Sequence, residues 1–132
     1  DKKDPIDVLT KVGGFDIAGL CGCFLGAAKN RVPIVIDGII ACAAALCAFR
    51  LNPNVKDFMF PSHLSAEPGS EYVMNEIGLR PGLNMDMRLG EGTGCPLEFC
   101  IIESALCVMN NMATLEEASI HNSEFFVDIR EK

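Results

Sequence analysis

A run of three β-branched residues, Ile34-Val35-Ile36, is the feature that most constrains the fold. It stops at Asp37-Gly38, and a segment rich in Ile, Ala, Cys and Leu continues to about Leu51. An apolar run without alternation is typical of a central parallel strand, because both faces of such a strand are covered. The run therefore predicts a strand, a tight loop and a helix in direct succession.

Two further segments repeat this succession, residues 58–77 and residues 84–112, with polar or glycine-rich loops at 62–67 and 90–94. Two helices precede the first strand: a short one that opens at Asp4-Pro5, and a longer one over residues 15–29. Three strand–loop–helix units predict an α/β fold with a parallel sheet and right-handed crossovers.

The three loops that follow the predicted strands are the first place to look for a site. In parallel sheets, ligands bind beyond the carboxyl ends of the strands. The loops at Asp37-Gly38, 62–67 and 90–94 should therefore lie along one edge of the sheet. This convergence is the main reason, from the residues alone, to expect a binding site.

The charge of the chain limits the class of partner. The formal net charge is -7, whereas a nucleic-acid-binding domain usually carries a clustered basic face. A single phosphate group can still bind through backbone N–H groups at the start of a helix. The composition argues against a nucleic acid and leaves a nucleotide possible.

The cysteines and the apolar stretches predict a cytoplasmic protein without a membrane segment. Seven cysteines occur without a CxxC pair, and the two histidines give no zinc spacing. Reduced cysteines that pack as small apolar residues are the simplest interpretation, and a metal or redox site is the alternative. The longest apolar stretch, residues 34–49, is interrupted by Asp37 and is too short to span a bilayer. No signal peptide is apparent.

The loop Arg88-Leu89-Gly90-Glu91-Gly92-Thr93-Gly94 carries the most specific chemistry. Glycines on both sides of Glu91 allow a tight turn and a close approach of Gly90 and Gly92 to a ligand. Thr93 and the N–H groups that follow could hold phosphate oxygens. Glu91 could act as a general base or stabilise a developing positive charge. By its spacing alone, the loop is equally typical of a plain turn.

The other candidate side chains have open alternatives. Ser62-His63 could be a nucleophile and its base, but a phosphate or ribose contact is favoured because no G-x-S-x-G elbow is present. Asp37 could bind a ribose hydroxyl or cap the helix that follows it. Met85 and Met87 could fill the core or face a flat aromatic ligand.

Four segments in order resemble one known family. They are Lys11-Val12-Gly13-Gly14-Phe15-Asp16-Ile17-Ala18-Gly19, the segment from Arg31-Val32-Pro33 to Ile36-Asp37-Gly38, Ser62-His63-Leu64-Ser65-Ala66-Glu67, and Met87-Arg88-Leu89-Gly90-Glu91-Gly92-Thr93-Gly94. The family is that of the nicotinate-nucleotide–dimethylbenzimidazole phosphoribosyltransferases, and the resemblance covers roughly residues 4–120.

The resemblance implies a glycosyltransferase that moves phosphoribose from nicotinate mononucleotide to 5,6-dimethylbenzimidazole, in assembly of the cobalamin lower ligand. It places the general base at Glu91. Gly38, Ser65 and Gly90 match positions that line the phosphoribosyl pocket, and Leu89 matches a position near the benzimidazole. No cofactor and no metal are expected.

The resemblance also implies a Rossmann-like, three-layer fold with helices on both faces of the sheet. Residues 1–95 would be part of this large domain, residues 96–121 would contribute helices to a small domain, and residues 122–132 would be a tail. A homodimer is expected.

Family members are more than twice as long, and this chain matches their C-terminal portion. The missing portion carries another phosphate loop, a lysine that contacts phosphate and much of the benzimidazole pocket. The chain alone is therefore expected to have little or no activity, and to pair with a second copy or with the N-terminal portion. The alternative is a module of the same fold that binds a nucleotide or dimerises without catalysis.

Overall fold

Helices and short strands alternate along the chain in the order that the sequence predicts, except in one segment. The structure, a computed structural model, describes residues 1–118. Within them the elements are α1 (Pro5–Val12), α2 (Phe15–Lys29), β1 (Ile34–Ile36), α3 (Ile39–Leu51), a 3₁₀ helix (Pro53–Phe58), β2 (Met59–Pro61), α4 (Ser70–Ile77) and α5 (Cys95–Asn111).

The helix boundaries follow from local chemistry. Asp4 caps α1, since its side chain accepts a hydrogen bond from the Ile6 N–H at 2.9 Å, and Pro5 occupies the first turn, where its missing N–H costs nothing. α4 ends at Gly78, whose φ of 72° lies in the left-handed region that glycine adopts without steric cost. These predicted boundaries are confirmed.

The two strands form a parallel pair, as predicted. Ile34 pairs with Met59, Val35 with Phe60 and Ile36 with Pro61. The Ser62 N–H then donates to the Ile36 carbonyl oxygen at 2.9 Å. The ends of β1 and β2 therefore lie side by side, and the loops that follow them start at the same edge.

The predicted third strand at residues 84–88 is wrong. Only one isolated parallel bridge, between His63 and Leu83, continues the ladder in the described residues. The segment beyond it runs beside the loop after β2, because the Ala66 N–H donates to the Met87 carbonyl oxygen at 2.9 Å. Asp86 has a φ of 53°, which is incompatible with an extended strand, so the chain turns instead of pairing.

The core lies around α3, which packs against α2 and α4. Ala44, Ala45 and Ala48 are completely buried on α3, and their small side chains allow the neighbouring elements to approach closely. The other buried apolar residues are Cys21, Phe24, Ile36, Cys42, Val55, Met59, Val73, Met74 and Ile77. This core fixes the direction in which β1 delivers Asp37 and Gly38.

The contacts divide the chain into two compact units, Asp1–Ile101 and the chain from Ile102 onward. In the second unit, Thr114 and Glu117 form a capping box: the Glu117 carboxylate accepts from the Thr114 N–H at 2.8 Å, and the Glu117 N–H donates to Thr114 Oγ1 at 3.2 Å. The predicted tail at residues 122–132 lies outside the described residues.

The structure confirms the predicted fold class in its coarse form only. The structure is α/β with a small parallel sheet and helices. The complete three-layer arrangement and the domain boundaries after residues 95 and 121 remain predictions. Among the helices of residues 1–118, none combines the length and hydrophobicity needed to cross a membrane.

Candidate active site

The three predicted loops meet at one cleft of about 360 Å³, a size common for small-molecule sites. Seven of the eight residues that the sequence predicts for the site line it. They are Asp37, Gly38, Ser65, Leu89, Gly90, Glu91 and Gly92. The convergence expected from the parallel arrangement is therefore present, even though the third segment is not a strand.

Glu91 lies in a turn with an unusual backbone. Gly90, Glu91 and Gly92 have φ angles of 71°, 55° and 76°, so three successive residues occupy the left-handed region. For a residue with a Cβ atom, this region costs roughly 1–2 kcal/mol. Such strain is common at functional sites and persists only where neighbouring structure imposes it.

The Asp37 carboxylate helps to hold the backbone of this turn through two hydrogen bonds. Its Oδ2 atom accepts from the Gly92 N–H at 2.9 Å, and its Oδ1 atom accepts from the Gly94 N–H at 2.9 Å. The predicted capping of the helix after Asp37 is not observed, since Gly38 is the N-cap of α3 and no side chain caps it. Asp37 instead joins the end of β1 to the turn that carries Glu91.

Two glycines allow the turn to approach β1 this closely. A Cβ atom on Gly38 would lie 3.2 Å from the Gly90 Cα atom. A Cβ atom on Gly94 would overlap His63 and Ser62 and would lie 2.8 Å from Asp37 Oδ1. A side chain at either position would push the turn away from Asp37.

Thr93 makes two hydrogen bonds within the turn. Its Oγ1 atom donates to the Gly90 carbonyl oxygen at 2.7 Å, and its N–H donates to the same oxygen at 3.0 Å. In this arrangement the hydroxyl proton is already used. Thr93 is also the one predicted site residue that is not among those lining the cleft.

Ser65 also lines the cleft. It is buried, and its Oγ atom accepts from the Glu67 N–H at 3.4 Å. Because that bond uses only the oxygen, the hydroxyl proton can be donated to a phosphate or ribose oxygen.

The Ser62–His63 pair is arranged for structure and not for nucleophilic attack. Ser62 Oγ lies 2.8 Å from the Ile36 carbonyl oxygen and 3.0 Å from His63 Nδ1. A carbonyl oxygen only accepts, so the hydroxyl donates to Ile36 and His63 Nδ1 must carry the hydrogen. His63 therefore cannot remove the Ser62 proton through this contact, and both side chains are buried.

Burial raises the pKa of two thiols and one carboxyl group, those of Cys95, Cys42 and Glu98. Burial is the main cause that raises the pKa of the Cys95 thiol, and the negative charge of Asp37 adds to it. Burial also raises the pKa of Glu98, whose Oε2 atom has no hydrogen-bond partner among the described residues. Cys42, whose thiol lies 3.9 Å from the Asp37 carbonyl oxygen, has its pKa raised by burial to about 11. These thiols are packed and protonated, as the sequence interpretation expects of a core cysteine.

The sequence interpretation missed several residues of the cleft. Glu67 and Arg88 line it, and Arg88 is the one cation among its described lining residues, against the three acids Asp37, Glu67 and Glu91. Both residues lie in loops that the sequence identifies as candidate site loops. Their place in these loops could have indicated them as site residues. The remaining wall is aliphatic, formed by Leu20, Ile39, Ile40 and Ala41.

No group of three or more His, Cys, Asp or Glu side chains within residues 1–118 is arranged to hold a metal ion.

Comparisons with known sequences agree on one family. The sequence model of a family described as phosphoribosyltransferase (DBI_PRT) matches residues 1–120. The nicotinate-nucleotide–dimethylbenzimidazole phosphoribosyltransferase of Clostridium tetani is 74% identical over 132 residues, which are 100% of this chain and 36% of that protein. The protein of the same name from Acetivibrio thermocellus is 60% identical over 91% of this chain and 34% of its own length.

A solved structure agrees with the sequence matches. The crystal structure of the protein of that name from Thermus thermophilus superposes with a TM-score of 0.84 at 36% identity, covering 91% of this chain and 36% of that one. The chain thus spans about a third of the length of the relatives it matches. Its predicted placement in the C-terminal portion stays a prediction.

The ordered loop motifs, the matched residues 1–120 and the shared fold together show that the chain belongs to the nicotinate-nucleotide–dimethylbenzimidazole phosphoribosyltransferase family.

Proposed function

We propose that this chain supplies the catalytic glutamate of an enzyme that transfers phosphoribose from nicotinate mononucleotide to 5,6-dimethylbenzimidazole or a related base. The products are nicotinate and α-ribazole 5′-phosphate, a precursor of the cobalamin lower ligand. One observation carries the proposal: Glu91 is held in a strained left-handed turn at the cleft, in a family whose members are named for this transfer.

The proposed step is a displacement at the anomeric carbon with inversion from β to α. One nitrogen of the benzimidazole attacks that carbon, and the bond to the nicotinate nitrogen breaks with its electron pair. The Glu91 carboxylate takes the proton from the other benzimidazole nitrogen, so that no positive charge accumulates on the base. Nicotinate leaves as its ring nitrogen becomes neutral.

The walls of the cleft suit the two parts of this reaction. Leu89 is 71% exposed and, with Leu20 and Ile40, offers apolar surface that a flat aromatic base would cover. On the phosphoribosyl side we place Gly38, Ser65, Gly90 and Gly92, of which Ser65 has a hydroxyl proton to donate. Thr93 shapes the turn through its bonds to the Gly90 carbonyl oxygen and does not line the cleft. Asp37 lines the same part of the cleft, and both of its carboxylate oxygens accept from backbone N–H groups of the turn.

Three acids and one cation line the cleft, so the donors that this chain offers to a phosphate are few. They are the Arg88 guanidinium, the Ser65 hydroxyl and those backbone N–H groups of the cleft that are not already bonded within the turn. We propose that the rest of a family-length protein, or a second copy, completes the site, and that the isolated chain has little or no activity. A cytoplasmic location and a homodimer remain predictions.

The first experiment compares this chain with a family-length protein that contains it. Both are incubated with nicotinate mononucleotide and dimethylbenzimidazole, and α-ribazole phosphate is measured by mass spectrometry. Product from the longer protein alone would support the proposal that other residues are required. No product from either would favour the alternative, a module that binds a nucleotide or dimerises without catalysis.

The role of Glu91 is tested by Glu91→Gln in the longer protein. Removal of a positioned general base costs roughly 10²–10⁴-fold in kcat. Glu103→Gln is the matched control, because Glu103 is an exposed acid outside the cleft. A loss in Glu91→Gln of less than about threefold would exclude Glu91 as the base.

The phosphate side is tested by comparing two ligands that differ in one group. If Ser65 and the Gly90–Gly94 turn hold the phosphate, nicotinate mononucleotide will bind more tightly than nicotinate riboside. Equal affinities would remove the phosphate contact from the proposal. Isothermal titration calorimetry on the longer protein gives both values.

A further inference from the structure

We propose that Asp37 is the positioning residue of the Glu91 turn: its two carboxylate oxygens hold the backbone on both sides of Thr93, and this fixes where Glu91 meets the base. The inference rests on the proposed function, because it assigns the placement of the general base to a residue at the end of β1. It concerns the rate of the chemical step and not the binding of nicotinate mononucleotide.

Both oxygens of Asp37 are committed to the turn. They accept from the N–H groups of Gly92 and Gly94, each at 2.9 Å, across separations of 55 and 57 residues. The Asp37 side chain is 10% exposed, so water does not compete strongly for it. Hydrogen bonds from backbone N–H groups to an ionised, partly desolvated carboxylate are among the stronger ones in proteins.

The turn needs such an anchor because its preferred conformation is different. Glu91 occupies the left-handed region at a φ of 55°, which costs free energy for a residue with a side chain. Without an external restraint, Glu91 would move to an ordinary backbone region and carry its carboxylate with it. Gly90 is in close contact with Gly38 on one side, and Asp37 holds the other side.

The position of the Glu91 carboxylate should affect the rate of the chemical step more than the affinity for the substrate. A shift of about 1 Å in a reacting group can cost on the order of 10²-fold in rate. Asp37 lies at the end of a strand whose pairing with β2 is fixed, so it transmits the rigidity of the sheet to the turn. A glutamate on an unanchored glycine loop would sample many positions.

The test is Asp37→Asn in a family-length protein that contains this chain. An asparagine side chain keeps one accepting oxygen and directs an NH₂ group toward the second backbone N–H, so one of the two bonds is lost. We expect hydrogen exchange of the peptide spanning residues 88–95 to accelerate about tenfold or more. We expect kcat to fall by about 10²-fold, with KM for nicotinate mononucleotide changed by less than threefold.

Asp57→Asn is the matched control. Asp57 is an exposed aspartate outside the cleft, so the substitution removes the same charge without touching the turn. It should leave exchange, kcat and KM unchanged. Asp37→Glu keeps the charge on a longer side chain, and it should give exchange and kcat values between those of the wild type and Asp37→Asn.

The outcomes separate this inference from the proposed function. Unchanged exchange at residues 88–95 in Asp37→Asn would overturn the positioning role, whatever the activity. A rise in KM with kcat unchanged would show that Asp37 acts as a ribose contact instead. If Glu91→Gln keeps full activity, the proposed function fails, but the exchange data still report whether Asp37 holds the turn. If Asp37→Asn does not fold, Asp37→Glu carries the same two readouts.

Discussion

The Ser62 hydroxyl donates its proton to the Ile36 carbonyl oxygen at 2.8 Å, although His63 is the next residue in the chain. This direction of donation argues against Ser62 and His63 as a nucleophile and its base, and it favours a structural role for both. As a consequence, Ser62 joins the end of β2 to the end of β1, and His63 Nδ1 donates to it.

We predict that Ser62→Ala in a family-length protein lowers its stability without abolishing transfer. Loss of the hydroxyl leaves the His63 Nδ1–H and one lone pair of Ile36 without this partner in a buried site, at a cost of about 1–3 kcal/mol. Chemical denaturation measures the change in free energy of unfolding. Activity should fall by less than tenfold, whereas loss of the nucleophile in a serine hydrolase costs on the order of 10⁶-fold. A loss of that size would restore Ser62 as a candidate nucleophile.

A second prediction concerns the contact between Gly38 and Gly90. In Gly38→Ala the new Cβ atom would lie 3.2 Å from the Gly90 Cα atom, so the turn must move by a few tenths of an ångström or more. We expect kcat in a family-length protein to fall by roughly tenfold or more, because Glu91 moves with the turn. Steady-state kinetics with both substrates checks this.

Gly26→Ala is the matched control for Gly38→Ala. Gly26 lies within α2, and a Cβ atom there would meet nothing within 4 Å. Replacing a helical glycine with alanine stabilises a helix by roughly 0.8–1.0 kcal/mol. The control should therefore raise the free energy of unfolding and leave kcat unchanged. An equal loss of activity in both variants would contradict the role of the Gly38–Gly90 contact.

The sequence predicted the elements well, because their signals are local. The β-branched run Ile34–Ile36 and the glycine that ends α4 determine conformation within a few residues. The segment at 84–88 was predicted as a strand because its apolar alternation is also local. The left-handed φ of Asp86 has no counterpart in that pattern, so the missing strand was not foreseeable.

The sequence predicted which loops come together at the cleft, but not the hydrogen bonds between them. Three loops were expected at one edge, since parallel strands bring their ends together. The bonds from Gly92 and Gly94 to Asp37 link residues more than 50 positions apart, and no periodicity records them. Glycine at position 94 was the available hint, because only a residue without a side chain fits against His63 and Ser62.

A third prediction follows from the buried carboxyl group of Glu98. Burial raises its pKa in the folded state above the ordinary value of 4.5, so the folded protein binds this proton more tightly than the unfolded chain. The stabilisation is fully present below pH 4.5 and is lost as the pH rises through the folded-state pKa. Glu98→Gln should remove this dependence and should be at least as stable as the wild type at about pH 7.

The measurement is the free energy of unfolding of both proteins from about pH 4 to about pH 8. Glu103→Gln is the control, because Glu103 is exposed on the same helix. The advantage of Glu98→Gln should grow with pH, while the control follows the wild type. A constant difference across the range would mean that the proton on Glu98 is not linked to folding.

The last prediction uses the backbone strain at Glu91. Glu91→Gly removes the Cβ atom from a residue at a φ of 55° and relieves roughly 1–2 kcal/mol of steric cost. The added flexibility of glycine in the unfolded chain offsets roughly 0.4–1 kcal/mol of that gain. In a family-length protein the variant should therefore be as stable as the wild type or more stable by up to about 1.6 kcal/mol, and it should lose transfer activity together with its carboxylate. Glu91→Gln keeps the strain, so it should match the wild type in stability and Glu91→Gly in activity. If Glu91→Gly is less stable than Glu91→Gln by denaturation, the side chain of residue 91 stabilises the turn, and the strain does not mark a residue kept for function.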